Sequence, residues 1–236
     1  MSEPKKRSYA SRLRRENAEA TRKRIIAAAA ELMVGQGYAA TTMAAVAERA
    51  GVAVQTLYTS CPGGKPGLAK MVYDTALAGD TQAVPQSSRP GVQAILDEPD
   101  VARKLAHYSA MATSIQQRIR SVHRVLHAAA ASAQDHGLQA VLSDIERERL
   151  TGSRGPAMHL QSLGALRPGL TAERAAEQIY ALTSFEVFER LIDVCGWSPD
   201  DYEEWLTRLL VSALLDSEVL RSGPASGGDQ PPTSRN

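Results

Sequence analysis

The sequence has few of the residues that mark extracellular, zinc-binding or β-rich proteins. Its 236 residues include two cysteines, Cys61 and Cys195, whose spacing fits neither a disulfide framework nor a cysteine-based zinc site. Aromatic residues make up only 5% of the chain, and alternating β-branched runs, which favour strands, are scarce. A run of about 18 apolar residues, as a membrane span needs, is absent, as is the apolar segment of a secretory signal. We therefore expect a cytoplasmic protein with no membrane partner.

The residues that are abundant predict an all-α fold. Hydrophobic residues make up 43% of the chain, and alanine and leucine, which favour helices, are prominent among them. Apolar residues recur at helical spacing, and glycine, proline and serine cluster between residues 79 and 91. The pattern predicts a flexible basic arm at 1–20, a three-helix domain at 21–78, a larger helical domain at 92–221 and a disordered tail at 222–236.

Charge is distributed unevenly along the chain. Up to Arg24 there are nine basic and three acidic residues, a net charge of +6, which leaves −5 for the rest of a chain whose total is +1. A basic segment on a mildly acidic body indicates an anionic polymer such as DNA as a partner. The alternative is a solvated tail that only aids solubility.

A helix-turn-helix is predicted between about Thr42 and Tyr58. Thr42 is a suitable N-cap for a short amphipathic helix that ends at Gly51, where a positive backbone φ would turn the chain. The two helices of such a motif cross closely, so small residues are needed at the crossing, and Ala47 and Gly51 satisfy this requirement. The motif follows a first helix at 21–35 that begins near Arg22 and Arg24.

The outward positions of the second short helix are predicted to meet the major groove. Gln55 can pair bidentately with adenine, and Val54 or Thr56 can contact a thymine methyl group. Thr42, at a helix N-terminus, is expected to contact a phosphate. The full predicted DNA-binding set is Arg22, Arg24, Thr42, Ala53, Val54, Gln55, Thr56, Tyr58 and Lys65.

Residues 21–68 resemble the DNA-binding domain of the TetR family of bacterial regulators. The segments that carry the resemblance are Arg24–Ala29, Gly37-Tyr38, Thr41–Met43, Val46-Ala47, Ala50–Val52, Thr56–Tyr58, Lys65 and Leu68. The resemblance implies that Thr42, Thr56, Tyr58 and Lys65 contact phosphates and that the short third helix reads bases. Four features depart from the family pattern. Ala53 replaces a serine or threonine, Gln55 replaces a glycine, Cys61 lies where a phenylalanine commonly packs, and the loop before Lys65 is one residue longer than usual.

The C-terminal part resembles the family in the last two helices, which form the dimer interface in the family. The resemblance covers Thr183–Val187 and the segment from Gly196 to Leu206. The apolar stripe on the last helix is also wide for a single intramolecular contact, and a fully buried core helix is the alternative. The predicted interface is Val187, Leu191, Tyr202, Trp205, Leu206, Leu209, Leu210 and Ala213.

Apolar and aromatic residues of the larger domain could line a ligand pocket, although each is also a candidate for ordinary core. They are Tyr108, Met111, Ile115, His123, His127, Met158, Tyr180 and Phe185. His123 and His127 have the spacing of a metal-binding pair, but a third ligand is not evident. We therefore predict no metal, no cofactor and no catalytic residues.

Together these features predict a ligand-responsive transcriptional repressor that binds a palindromic double-stranded DNA operator as a homodimer. A small molecule would be the effector. The alternative is a helical small-molecule-binding or scaffold protein with a degenerate DNA-binding motif. An enzyme is disfavoured, because the sequence shows no catalytic constellation.

Overall fold

The computed structural model describes residues 4–82, 84–132 and 134–216. Over these residues the predicted all-α fold is confirmed, since the regular elements are helices and the only β-type pairing is a single bridge between Leu166 and Leu215. None of the described helices is both long and apolar enough to cross a membrane. The tail predicted to be disordered, 222–236, lies outside the described residues.

The helices follow one another without long interruptions. In chain order they are α1 Pro4–Gln36, α2 Met43–Ala50, α3 Val54–Ser60, α4 Gly64–Ala78, α5 Pro90–Asp97, α6 Val101–Ser132, α7 His136–Ser162, α8 Ala172–Leu182, α9 Phe185–Glu189 and α10 Pro199–Leu214. A 3₁₀ turn at Gln86–Ser88 precedes α5, and a π turn at Arg190–Val194 extends α9. Thr42, Thr171 and Ser198 cap α2, α8 and α10 by accepting backbone N–H bonds.

The first helix corrects the prediction of a flexible arm. α1 begins at Pro4 rather than near Thr21, so residues 4–20 are helical. Alanine, arginine, lysine and glutamate dominate this stretch and are good helix formers. They form no apolar stripe, and periodicity therefore gave no signal of a helix there. Residues 15–20 are exposed.

The chain divides into two compact units that differ from the predicted domains 21–78 and 92–221. The first unit comprises Met1–Ala83 with Ile115–Arg147, and the second comprises Val84–Ser114 with Glu148–Asn236. The boundaries differ because the long helices α6 and α7 each contribute residues to both units. A composition change in a loop cannot reveal that kind of division.

In the core of the first unit α1 packs against α2 and α4, and α2 packs against α3. Ile25, Met33, Val46, Leu57 and Leu68 are fully buried. On α1 the buried positions recur at three- and four-residue intervals, as expected for one face of a helix. This packing positions α3, whose remaining residues face outward.

The core of the second unit contains aromatic and aliphatic side chains of α8, α9 and α10. The rings of Phe188 and Tyr202 meet edge to face with centroids 5.0 Å apart, a favoured aromatic geometry. α8 ends at Leu182 and α9 begins at Phe185, so the segment from Thr171 to Val194 is not one continuous helix. Ser184, with extended backbone, is the N-cap of α9.

Gly51 adopts φ +64° in the turn between α2 and α3. An alanine there would be strained, because left-handed backbone costs L-residues about 1–2 kcal/mol. We expect Gly51→Ala to lower the free energy of unfolding by about 1 kcal/mol or more. Chemical denaturation followed by circular dichroism measures this change. Gly35→Ala on α1 is the control, since a Cβ at Gly35 meets no atom within 4 Å, and it should leave stability unchanged or increase it. Equal destabilisation by both substitutions would contradict this account.

Candidate functional site

The helix-turn-helix is built on local signals around α2. The Thr42 hydroxyl accepts a hydrogen bond from the Ala45 N–H at 3.1 Å, which begins the helix. Val46, Ala47 and Ala50 form the buried side of α2. Small side chains at two of these three positions permit the close approach of α3, whose Leu57 is fully buried.

The turn between the helices satisfies the last carbonyls of α2. The Gly51 N–H donates to the Glu48 carbonyl at 3.1 Å, and the Val52 N–H donates to the Ala47 carbonyl at 3.0 Å. This pair of bonds around a left-handed glycine is the Schellman motif. The exit direction of the chain is therefore set, and α3 starts only three residues after Gly51.

The predicted base-reading surface of α3 is exposed. Val54 is 42% exposed and Tyr58 is 51% exposed, which is unusual for large apolar or aromatic residues. Ala53, Gln55 and Thr56 are exposed as well. An exposed face that offers an amide, a hydroxyl and apolar groups has the chemistry needed to contact base edges.

Arg22 and Arg24 lie near opposite ends of α3. The Arg24 Nη1 atom is 3.6 Å from the point that a Cβ at Gly51 would occupy. Arg22 is close enough to the buried Cys61 for its charge to oppose the increase that burial causes in the thiol pKa. Both arginines are exposed, so they place positive charge beside the α3 surface, as a phosphate-binding region requires.

Lys65 is held by neighbouring groups of the first unit. Its ammonium donates to the Ala39 carbonyl at 3.0 Å and lies 4.3 Å from the centroid of the Tyr38 ring. The Tyr38 hydroxyl donates to Asp135 Oδ2 at 3.1 Å. We name the set Tyr38, Lys65 and Asp135 the Asp135 junction. It joins the α1–α2 turn, the first turn of α4 and the residue before α7.

The three groups of the Asp135 junction influence one another's pKa values. The Leu138 amide contributes most to holding the pKa of Asp135 below its usual value, and the Tyr38 hydroxyl adds to this effect. Burial chiefly raises the pKa of Tyr38, and the bond to Asp135 raises it further, so its phenol stays protonated. Burial lowers the pKa of Lys65, while the charge of Asp135 opposes that shift. The junction therefore contains a carboxylate, a neutral phenol and a cation near neutral pH.

Asp135 and Tyr38 were not among the predicted site residues. They are 97 positions apart, and no short-range pattern connects them. One local signal was present, because an aspartate directly before His136 is a typical helix N-cap. The structure uses it in this way, since the Leu138 N–H donates to Asp135 Oδ1 at 2.9 Å.

The residues predicted to line one ligand pocket are divided between the two units. Ile115, His123 and His127 belong to the first unit, and the others, Tyr108, Met111, Met158, Tyr180 and Phe185, belong to the second. Neither unit assembles the predicted set. In the second unit Phe185 is buried core and Met158 is 61% exposed. Helical spacing of apolar residues does not separate core, pocket and surface, so the ligand pocket stays a prediction.

His123 and His127 stack on each other, with ring centroids 3.9 Å apart and planes inclined at 18°. Among the described residues, no group of three or more metal-binding side chains is placed to hold an ion. A separate cleft of about 230 Å³ in the first unit contains none of the predicted pocket residues. Its lining is Lys23, Ile26, Ala27, Ala30, Val72, Thr75, Ala76, Thr81 and Val122.

The predicted dimer stripe on α10 separates into two rows. Tyr202, Leu206 and Leu210 are fully buried within the single chain, so they cannot contact a partner as predicted. The other members of the stripe are partly exposed, namely Trp205, Leu209 and Ala213 on α10, with Val187 and Leu191 before it. The two rows are adjacent on the helix surface, which is why they read as one wide stripe in the sequence.

Residues 25–60 match the family model described as bacterial regulatory proteins, tetR family. A comparison with curated proteins found no match. Among solved structures, native NalD, the secondary repressor of the MexAB-OprM multidrug efflux pump in Pseudomonas aeruginosa, is similar to this chain. It is 20% identical and has a TM-score of 0.60, and the match covers 85% of this chain and 98% of NalD.

Two further structures share the fold. The SmeT–triclosan complex is 17% identical with a TM-score of 0.61, and the match covers 91% of this chain and all of SmeT (100%). TylP, a TetR regulator from Streptomyces fradiae, is 21% identical with a TM-score of 0.59, over 86% of this chain and 90% of TylP.

The exposed α3 on a buried helix-turn-helix core defines a DNA-binding regulator fold. Its helix-turn-helix segment matches the TetR family of bacterial regulators, and the chain shares the fold of TetR-type regulators. That family consists of regulators and not of enzymes, in agreement with the sequence-based expectation.

The Asp135 junction predicts a low carboxyl pKa that depends on Tyr38. We expect NMR titration of Asp135 to give a pKa below 3.8, the usual value. In Tyr38→Phe the pKa of Asp135 should rise only part of the way towards its usual value. The Leu138 amide, which lowers this pKa more than Tyr38 does, remains in place. Since the folded-state pKa is lowered, the stabilisation is present above the unfolded-state pKa and is lost as pH falls through the folded value. An unchanged pKa in Tyr38→Phe would contradict the contact, and Tyr180→Phe serves as the control.

Proposed function

We propose that the protein is a ligand-responsive repressor that binds a palindromic operator as a homodimer. The observation that carries this proposal is the exposed face of α3, where Val54, Gln55, Thr56 and Tyr58 project from a helix whose Leu57 is buried. A structural helix of a globular domain has little reason to expose both Val54 and Tyr58.

The proposed roles on DNA follow from position and chemistry. Gln55 reads a base edge, because its amide can donate and accept toward adenine in the major groove. Five residues contact the backbone and fix the register, namely Arg22, Arg24, Thr42, Thr56 and Tyr58. The net charge of +6 up to Arg24 favours the approach to DNA. Lys65, with its ammonium already bonded to Ala39, can reach a phosphate only with its remaining N–H donors.

The proposed dimer uses the partly exposed row on α10. Trp205, Leu209 and Ala213, with Val187 and Leu191, form an apolar surface for a second copy of the chain. Two copies related by a twofold axis would present their α3 helices to major grooves about 34 Å apart, one turn of DNA. An operator with inverted half-sites is the matching DNA.

The proposed effector is a small molecule that binds the helical body. SmeT, a protein of the same fold, forms a complex with the small molecule triclosan, and NalD is a repressor. A ligand lowers DNA affinity if it binds better to a conformation in which the α3 helices are wrongly spaced. As a DNA-bound regulator, the protein would act in the cytoplasm.

The experiment that tests the function measures binding to a duplex from the region upstream of the gene. Wild-type protein is expected to prefer it over a scrambled duplex, with affinity that falls as salt rises. Thr56→Ala or Tyr58→Ala should weaken binding to both duplexes. Gln55→Ala should cost about 1–3 kcal/mol on the preferred duplex, because a bidentate base contact is lost, and should relax base preference at one position of each half-site.

Gln139→Ala is the control, because Gln139 is also an exposed helical glutamine, on α7. It should leave affinity and base preference unchanged. Wild-type protein that shows no preference for the upstream duplex over the scrambled one would reject the proposed function.

The α10 surface gives a separate prediction about assembly. Leu209→Glu should convert the dimer to a folded monomer, because a carboxylate would be buried without a partner at the interface. Analytical ultracentrifugation measures the mass, and circular dichroism confirms the helices. Ser143→Glu adds the same charge at an exposed position of α7 and should remain dimeric. A Leu209→Glu protein with dimeric mass would show that the interface lies elsewhere.

A further inference from the structure

Asp135 uses its two carboxylate oxygens for two different contacts. Oδ1 accepts the Leu138 N–H at 2.9 Å and caps the first turn of α7. Oδ2 accepts the Tyr38 hydroxyl at 3.1 Å. A carboxylate fixed by both contacts ties the start of α7 to the α1–α2 turn, because neither contact can shift without disturbing the other.

The α1–α2 turn is itself well hydrogen-bonded and leads into α2. The Thr41 N–H donates to the Tyr38 carbonyl at 3.1 Å, and the Thr41 hydroxyl donates to the Gly37 carbonyl at 2.9 Å. The next residue is Thr42, the N-cap of α2. Tyr38 is only 3% exposed, so its ring has little freedom to move. The position of Tyr38 therefore helps to fix the position of Thr42, where the helix-turn-helix begins.

A second contact joins the start of α7 to α4. A Cβ added at Gly137 would lie 2.8 Å from Pro66 Cγ, closer than real Cβ atoms approach. Pro66 follows Lys65 in the first turn of α4, and that turn begins four residues after the end of α3 at Ser60. Gly137 therefore permits α7 and α4 to meet directly beside the Asp135 junction.

Lys65 completes the arrangement from the α4 side. Its ammonium lies over the Tyr38 ring and on the Ala39 carbonyl, and the charge of Asp135 favours its protonated form. A cation on an aromatic face beside a carboxylate is attracted by both. Lys65 thus joins the segment after α3 to the segment before α2, beside Asp135.

We propose that Asp135 is a positioning residue for operator binding, which acts through Tyr38 and Lys65 to hold both flanks of the helix-turn-helix on the start of α7. The alignment of α3 depends on this attachment. The inference rests on the proposed function, and it adds a determinant of DNA affinity that makes no contact with DNA. It also gives α7 a direct physical connection to the DNA-binding segment, as regulation through α7 would require.

The test compares the full-length protein with Asp135→Asn and Tyr38→Phe on two labelled duplexes, the upstream region and a scrambled sequence of equal length. We expect each variant to lose about tenfold in affinity for the upstream duplex, within the range typical of coupled sites. Affinity for the scrambled duplex should not fall, because a positioning residue does not bind phosphates. The double variant should lose no more than the larger single loss, since both changes remove one contact.

Asp144→Asn is the matched control, because it removes the same charge from an exposed residue of α7 that pairs with Arg147. It should preserve the ratio of the two affinities. Hydrogen exchange without DNA is a second measurement, and exchange at 37–42 and 64–67 should accelerate in Tyr38→Phe even if Asp135→Asn fails to fold.

Folded variants with the wild-type affinity ratio, or with equal losses on both duplexes, would overturn the role of Asp135. Unchanged hydrogen exchange in Tyr38→Phe would overturn it as well. Wild-type protein without any preference for the upstream duplex would instead reject the proposed function, and the two failures are therefore distinguishable.

Discussion

The close crossing of α2 and α3 is the constraint on which the proposed DNA-binding surface depends. It needs a left-handed residue at Gly51 and a small side chain at Ala47, because a larger group would separate the helices. With that crossing in place, Leu57 enters the core and the opposite side of α3 has to face outward. The exposure of Tyr58 follows from the burial of Leu57 one position earlier on the same short helix.

The position of α3 relative to the rest of the first unit depends on longer-range contacts. Arg24 lies at the turn before α3 and Arg22 lies near Cys61 after it. The Asp135 junction then holds the flanking segments through a carboxylate that also caps α7. The start of α7 and both flanks of the helix-turn-helix therefore meet at one cluster of side chains.

In the second unit, the apolar stripe on α10 divides into a buried row and a partly exposed row. Tyr202, Leu206 and Leu210 fill the core, while Trp205 and Leu209 remain partly exposed beside them. The apolar stripe can be recognised in the sequence, because it depends on residues a few positions apart. The sequence could not assign each row to core or surface, since that depends on which neighbouring helices cover α10.

The sequence by itself determined the helical class, the positions of α2, its glycine turn and α3, and the residues that α3 presents. These features arise from propensity, capping and periodicity, which act within one or two helical turns. Only the tertiary structure decided that α1 continues to Pro4, that Lys65 lies on Tyr38 and that Asp135 meets a tyrosine 97 positions away. Those outcomes depend on which surfaces the folded chain brings together, and no local pattern encodes the pairing of two distant segments.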